Sequence, residues 1–327
     1  MINDQTGMRQ LTTLDGEGVL LHGTYHKPRS VAADGAPVST KTLGVMFMNA
    51  LSSPRSLVGD SGGYWATCFA DRGYPSFRFD LPGLGDSYGE IPNDLLRFTN
   101  EGGYASVASS KTGELVRRHR LSGVVMFGHC AGATTAIYAA ANCTDCKGLV
   151  LMDPYFNLPK ALTSTLPSGL VLWARRSKVG AMVRTTYDRV REFPSARHKG
   201  GLPANANFNL ISRFKQVVSR GVPLLIFKAH QPAAGGGTGE AGFDYLAYMS
   251  SFAVRTNQFS IKTVEDTDHS FSNRAGRLAV RQHTETWLSE YFPESVASSP
   301  LLPRLDSQIH APLTLGNPFI TRVSPGD

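Results

Sequence analysis

Cysteine is scarce in this chain. Four in 327 residues, Cys68, Cys130, Cys143 and Cys146, are too few for a disulfide-stapled scaffold and fit a reducing compartment. Long apolar runs are also missing. None approaches the roughly 20 residues that a membrane-crossing helix needs, and the opening "MINDQTGMRQ" has no apolar segment of the signal-peptide kind. No membrane span and a cytoplasmic location are therefore expected. Metal-ligand spacing is confined to "CTDC", Cys143 to Cys146, and no second pair completes a tetrahedral set. No metal and no cofactor are expected. Basic residues outnumber acidic ones 33 to 26, but without the aromatic interleaving or recognition motif that accompanies nucleic-acid binding.

What the chain does have is enough apolar material, 41% of its residues, for one large core with an added subdomain. Strand-like runs are predicted at 19–22, 43–48, 76–79, 124–127, 148–152, 224–227 and 259–264. Segments of helical length and spacing lie between most of them, at 64–72, 104–120, 134–141 and 274–291. Alternation of this kind predicts a doubly wound α/β fold with a mostly parallel sheet covered on both faces. "DGEGV" near residue 15 predicts an antiparallel hairpin at its start.

The alternation lapses between 154 and 221, which is expected to form an inserted, helical cap. That stretch holds twelve basic residues, Arg175, Arg176 and Lys178 among them, against Asp188 and Glu192. Its balance is +10 where the whole chain is +7, so the remainder, 1–153 and 222–292 with the tail, sums to about −3. The Pro/Ser-rich stretch 293–327 reads as a tail without regular structure.

The pattern Gly-x-(Ser or Cys)-x-Gly occurs three times, around Ser61, Ser87 and Cys130. Only "VVMFGHCAGATTAIYAAA" has an apolar strand before it and a helix after it, which a nucleophile elbow requires. The flanking Gly128 and Gly132 fit a turn too tight for side chains. Ser61 follows a Pro/Ser-rich loop and Ser87 sits among turn residues, so both read as decoys.

These segments resemble the α/β-hydrolase superfamily over roughly residues 11–291 apart from the cap. The resemblance is carried by "RFDLPGLGDS" (78–87), "GHCAG" (128–132), "GLVLMDP" (148–154) and "DTDHSF" (266–271). It implies Cys130 as nucleophile and His269 as general base. A thiol at a helix N-terminus beside an imidazole is chemically suited to that work. For the oxyanion hole, the backbone N–H of Ala131 and that of Ala50 or Leu51 are implied. The orienting acid is expected after the strand before the last, where this chain reads Lys228-Ala229-His230-Gln231. Asp244 is preferred for that role, with Glu240 and Asp153 as alternatives. Asp80, Gly83, Gly85 and Asp86 are expected to brace a turn, and His119, His129 and His230 to be packing or surface residues.

A cysteine nucleophile makes a thioester intermediate, which amines and carbon nucleophiles attack well relative to water. The elbow resembles that of dienelactone hydrolases and some thioesterases, and the 78–87 and cap regions resemble hydrolases that accompany polysaccharide or secondary-metabolite gene sets. A cysteine-dependent acyl hydrolase or acyltransferase acting on an ester or thioester is expected. The basic cap fits a donor carried on coenzyme A or an acidic carrier protein. A non-catalytic hydrolase-like binding or scaffold protein is the other reading.

Overall fold

Strands whose every residue is apolar or small can be buried on both faces, and that is how this chain uses them. The computed structural model describes residues 9–16, 18–29, 42–158, 201–203, 205–230, 243–253 and 258–293. Its strands are β1 (Arg9–Gly16), β2 (Val19–His26), β3 (Leu43–Met48), β4 (Ser76–Phe79), β5 (Gly123–His129), β6 (Cys146–Met152), β7 (Leu224–His230) and β8 (Phe259–Glu265). They form one sheet in the order β1-β2-β4-β3-β5-β6-β7-β8. β1 and β2 make the expected antiparallel hairpin, β2 pairs antiparallel with β4, and all remaining pairs are parallel. Every residue of β3 and of β5 is buried, so the centre of the sheet is the most enclosed part of the molecule.

Helices cover both faces. On one side lie α1 (Ser61–Asp71) and, at the end of the described core, α7 (Arg274–Tyr291). Trp65, Phe69, Val280, Trp287 and Leu288 join the apolar cluster beneath them. On the other side are α3 (Ala105–His119), α4 (Ala131–Asn142), α5 (Phe208–Ser219) and α6 (Tyr245–Ala253), with the short α2 (Leu95–Asn100) leading into α3. Ala136, Ile137, Ala140, Leu210, Phe214, Val217 and Met249 form the cluster on that face. The small residues of α4 let it lie close to the sheet, and eleven of its twelve residues are buried.

The position of α5 refines the expected division of the chain. It falls within 154–221, yet it packs on α4 as the crossover helix between β6 and β7. Asn207 caps its first turn, accepting from Leu210 N at 3.1 Å, and donates from Nδ2 to Asn100 O at 2.9 Å. Arg220 donates to the carbonyls of Ala141 and Cys143 at 3.2 and 2.9 Å, satisfying groups that the end of α4 leaves unpaired. Lys215 places its ammonium 4.1 Å from the Phe252 ring centroid. Lys215 and Arg220 thus make contacts within the body. The stretch 159–200 of the expected cap, with Arg175, Arg176 and Lys178, lies outside the described residues, as does the tail from 294 onward.

Phe214 is fully buried, so Phe214→Ala is expected to lower unfolding free energy by about 3–5 kcal/mol. Urea denaturation followed by circular dichroism measures this. A midpoint that hardly moved would detach α5 from the core.

Candidate active site

The turn after β5 is the most constrained point on the sheet. Cys130 has φ 56° and ψ −120°, a left-handed backbone that a non-glycine residue adopts only when its surroundings enforce it. Those surroundings are visible at the two glycines. A Cβ on Gly128 would lie 2.5 Å from Gly132 O, and one on Gly132 would lie 2.6 Å from Asn49 O and 2.7 Å from Met48 O. Strand, helix and the end of β3 therefore touch backbone to backbone. Cys130 N donates to Met152 O at 2.9 Å, which ties the turn to β6. Ala131 opens α4, so its N–H has no partner within the helix. Beside it the chain leaving β3 places Ala50, which is buried, and Leu51 with φ 37°.

The two serine matches have other tasks. Ser87 Oγ donates to Asp80 O at 2.6 Å and accepts from His22 N at 2.9 Å. Ser61 starts α1 after a short 3₁₀ turn, with no strand before it.

His269 lies in the loop between β8 and α7. Its Nδ1 is 2.9 Å from Asp153 Oδ2, and Cys130 is near enough to help raise its pKa. Asp153 is held in turn by its neighbours. Its N–H donates to Phe227 O at 2.9 Å, and its Oδ1 accepts from Ala229 N at 3.0 Å. One carboxylate oxygen is thus fixed by β7 and the other is left for the imidazole. This corrects the preference for Asp244. Asp244 precedes α6 and accepts from Ala247 N at 3.0 Å, so its carboxylate serves as a helix cap. Glu240 lies outside the described residues. The end of β7 meets this carboxylate with the N–H of Ala229, and the stretch where the acid was expected reads Lys228-Ala229-His230-Gln231.

Two residues at the site were not foreseen for such roles. His129, read as a packing residue, places Nε2 2.6 Å from His269 O; a carbonyl only accepts, so Nε2 carries the proton. Burial, reinforced by the neighbouring His269, lowers its pKa to about 4. His129 is thus a neutral brace beneath the loop. Its place in "GHCAG", directly before the cysteine, was the available signal. Tyr155 sets its hydroxyl 3.1 Å from His269 Nε2. No motif marks it. The loop itself is pinned by buried Phe271, by Asp268 Oδ1 accepting from Ser270 N at 2.9 Å, and by Asn273 donating to Asp266 O at 2.7 Å.

"DLPGLGDS" braces the opposite wall, as expected. The fully buried Asp80 accepts from Asn49 Nδ2 at 3.1 Å, Arg55 N at 2.6 Å and Asp86 N at 3.2 Å, and pairs with the Arg55 guanidinium. Asn49 also accepts from Leu81 N at 2.9 Å and donates to Ser53 O at 3.0 Å. The segment carrying Ala50 and Leu51 is thereby fixed at both ends. Cys143 and Cys146 are buried free thiols, and among the described residues no group of three or more potential ligands could hold a metal.

Burial opposes the charged form of His269, but the hydrogen bond to Asp153 and the neighbouring Cys130 outweigh it and raise its pKa to about 9. A raised pKa makes the imidazole a stronger acceptor for the proton of a neighbouring thiol.

A strand, a strained cysteine turn and a helix, with histidine and carboxylate delivered from neighbouring strand ends, define the α/β-hydrolase fold with cysteine at its elbow. The family model described as "alpha/beta hydrolase fold" matches residues 56–178. Among solved structures, an esterase of Pyrococcus furiosus matches with TM-score 0.55 and 12% identity, covering 86% of this chain and 90% of its own. A protein of Xanthomonas campestris described as an α/β serine hydrolase without lid matches at 0.51 and 14%, covering 88% and 97%. Est1E of Butyrivibrio proteoclasticus, solved with ferulic acid bound, matches at 0.51 and 14%, covering 85% and 99%. These likenesses concern the fold. No curated protein matches the chain in sequence. No helix among the described residues is long and apolar enough to cross a membrane.

The raised pKa of His269 carries a linkage of definite sign. Its contribution to stability is full below about 6.5, the ordinary histidine value, and is lost as pH rises through about 9. His129, whose pKa is lowered, acts in a separate window: its contribution is present above about 6.5 and lost as pH falls toward about 4. Urea denaturation is therefore expected to show wild-type stability falling from pH 6.5 to 9. The slope should flatten in Asp153→Asn and persist in Asp244→Asn; the reverse would return the acid to Asp244.

Proposed function

We propose that the protein is a cysteine-dependent acyl hydrolase or acyltransferase that works on an ester or thioester through an acyl-Cys130 intermediate. The observation that carries this reading is the His269 imidazole held between Asp153 and Cys130 at a strained elbow. In the first half-reaction the thiol proton moves to His269 Nε2 and sulfur attacks the acyl carbonyl. The oxyanion is received by the N–H of Ala131 and by one from Ala50 or Leu51. As the carbonyl re-forms, the leaving group departs with the proton from Nε2. In the second half-reaction water or another acceptor loses its proton to Nε2 and attacks the thioester, releasing the Cys130 thiolate.

An esterase among the structural neighbours, and another neighbour solved with ferulic acid bound, support the ester class. Cysteine in place of serine favours acceptors other than water, because a thioester is attacked readily by amines and carbon nucleophiles. The scaffold reading drew its strength from the missing acid after β7, and the pairing of Asp153 with His269 favours the catalytic reading over it. A coenzyme A or carrier-protein donor is supported by the basic residues of the segment 159–200.

Intact mass spectrometry with a panel of acyl thioesters and aryl esters is expected to find one acyl group on Cys130. Cys130→Ala should abolish both adduct and turnover, and His269→Ala should lower kcat/KM on the order of 100- to 10,000-fold. Turnover at the wild-type rate in Cys130→Ala would overturn the reading. For the donor, Arg175→Gln, Arg176→Gln and Lys178→Gln together should raise KM for a coenzyme A thioester in low salt and leave a small neutral ester unaffected. Equal responses to the two donors would remove the argument from charge.

A further inference from the structure

Tyr155 follows Asp153 by two residues, and a scheme of cysteine, histidine and acid has no task for it. Yet its hydroxyl lies 3.1 Å from His269 Nε2, the nitrogen that serves Cys130 in the proposed reaction, and Cys130 is near enough to perturb the phenol electrostatically. Its ring is 5.5 Å from the His269 ring, tilted by 40°. The phenol therefore sits in the small space where a proton passes between sulfur and imidazole.

The geometry points to Tyr155 as a further catalytic group that donates its O–H to the Cys130 thiolate, a deepening of the acyl-cysteine reading on which it rests. The proton count fixes the direction of that bond. Nδ1–H of His269 is committed to Asp153. Once the thiol proton has moved to Nε2, the imidazolium has only donors, so the phenol can accept from it but cannot donate to it. The phenolic O–H is then left with sulfur. Burial first, and then the negative neighbours Cys130 and Asp153, push the Tyr155 pKa upward, so the phenol keeps its proton. Among the described residues, the other titratable groups around the pair are Asp153 at the end of β6, His269 with Asp268 from the β8–α7 loop, and His129 from β5, which burial and His269 keep neutral.

The bond matters at both ends of the cycle. When sulfur attacks, the S–C bond forms and the sulfur loses its charge, so the phenol loses its anionic acceptor. When the thioester breaks and sulfur takes back the electron pair, the acceptor is restored. Tyr155 thus lowers the pH at which the thiolate forms and stabilises it again as a leaving group. The accompanying cost is a somewhat less nucleophilic sulfur.

The test measures the rate of iodoacetamide alkylation of Cys130 against pH in the full chain, located by peptide mapping so that Cys68 is not counted. Tyr155→Phe is expected to move the midpoint upward by about one to two pH units, the size of one hydrogen bond to a charged group. Site-specific 3-fluorotyrosine at 155, a stronger donor, should move it downward. Circular dichroism controls for folding, and the fluorotyrosine arm tests the same bond if Tyr155→Phe fails to fold. If neither change moves the midpoint, Tyr155 has no such role, whatever the fate of the acyl-cysteine reading. If wild-type Cys130 alkylates no faster than a simple thiol and forms no acyl adduct, it is the acyl-cysteine reading that falls.

Discussion

Everything at the site depends on a steric constraint, the contact of three backbones where β5 turns into α4. Gly128 against Gly132, and Gly132 against the carbonyls that end β3, leave no room for a Cβ. That contact forces Cys130 into its left-handed conformation and lifts its side chain above the sheet. It also sets the free N–H of Ala131 beside the chain that leaves β3. Nucleophile and proposed oxyanion donors are thus positioned by one packing event, not by separate loops.

Around this rigid point the remaining groups are held by polar bonds that are themselves braced. Asp153 is fixed by the N–H of Ala229, and His269 is held at its carbonyl by His129 and at its ring by Asp153. Asn49 and Asp80 anchor the opposite wall. Each side chain that faces the cysteine has a partner that faces away from it. Such supporting bonds restrict rotation, which is how a site retains its geometry between turnovers.

The parts of this arrangement that local chemistry writes were legible in the sequence. The ends of β3, β4 and α7 coincide with the expected ranges because apolar runs bounded by turn residues mark them. The elbow was separable from its two serine look-alikes because only one match joins a strand to a helix. The acid was not legible. Whether Asp153 or Asp244 meets His269 is a matter of which strand end lies nearer in space, and both fit by separation along the chain. α5 was missed for a related reason. A long interval between strands looks like one insertion, and only the burial of Leu210, Phe214 and Val217 shows where the body resumes. His129 stood in the elbow motif without a task attached to it, and Tyr155 belongs to no pattern; their tasks come from the fold bringing residues 129, 155 and 269 to one point.

The carriage of the acid by β6 has a consequence for how this scaffold can vary. With Asp153 already secured before the polypeptide reaches β7, the only demand on β7 at the site is a main-chain N–H at Ala229, which nearly any residue there could supply. A change of side chain at Ala229 that keeps the main-chain N–H therefore leaves the carboxylate's support in place, so the end of β7 can vary without disturbing the pairing of Asp153 with His269.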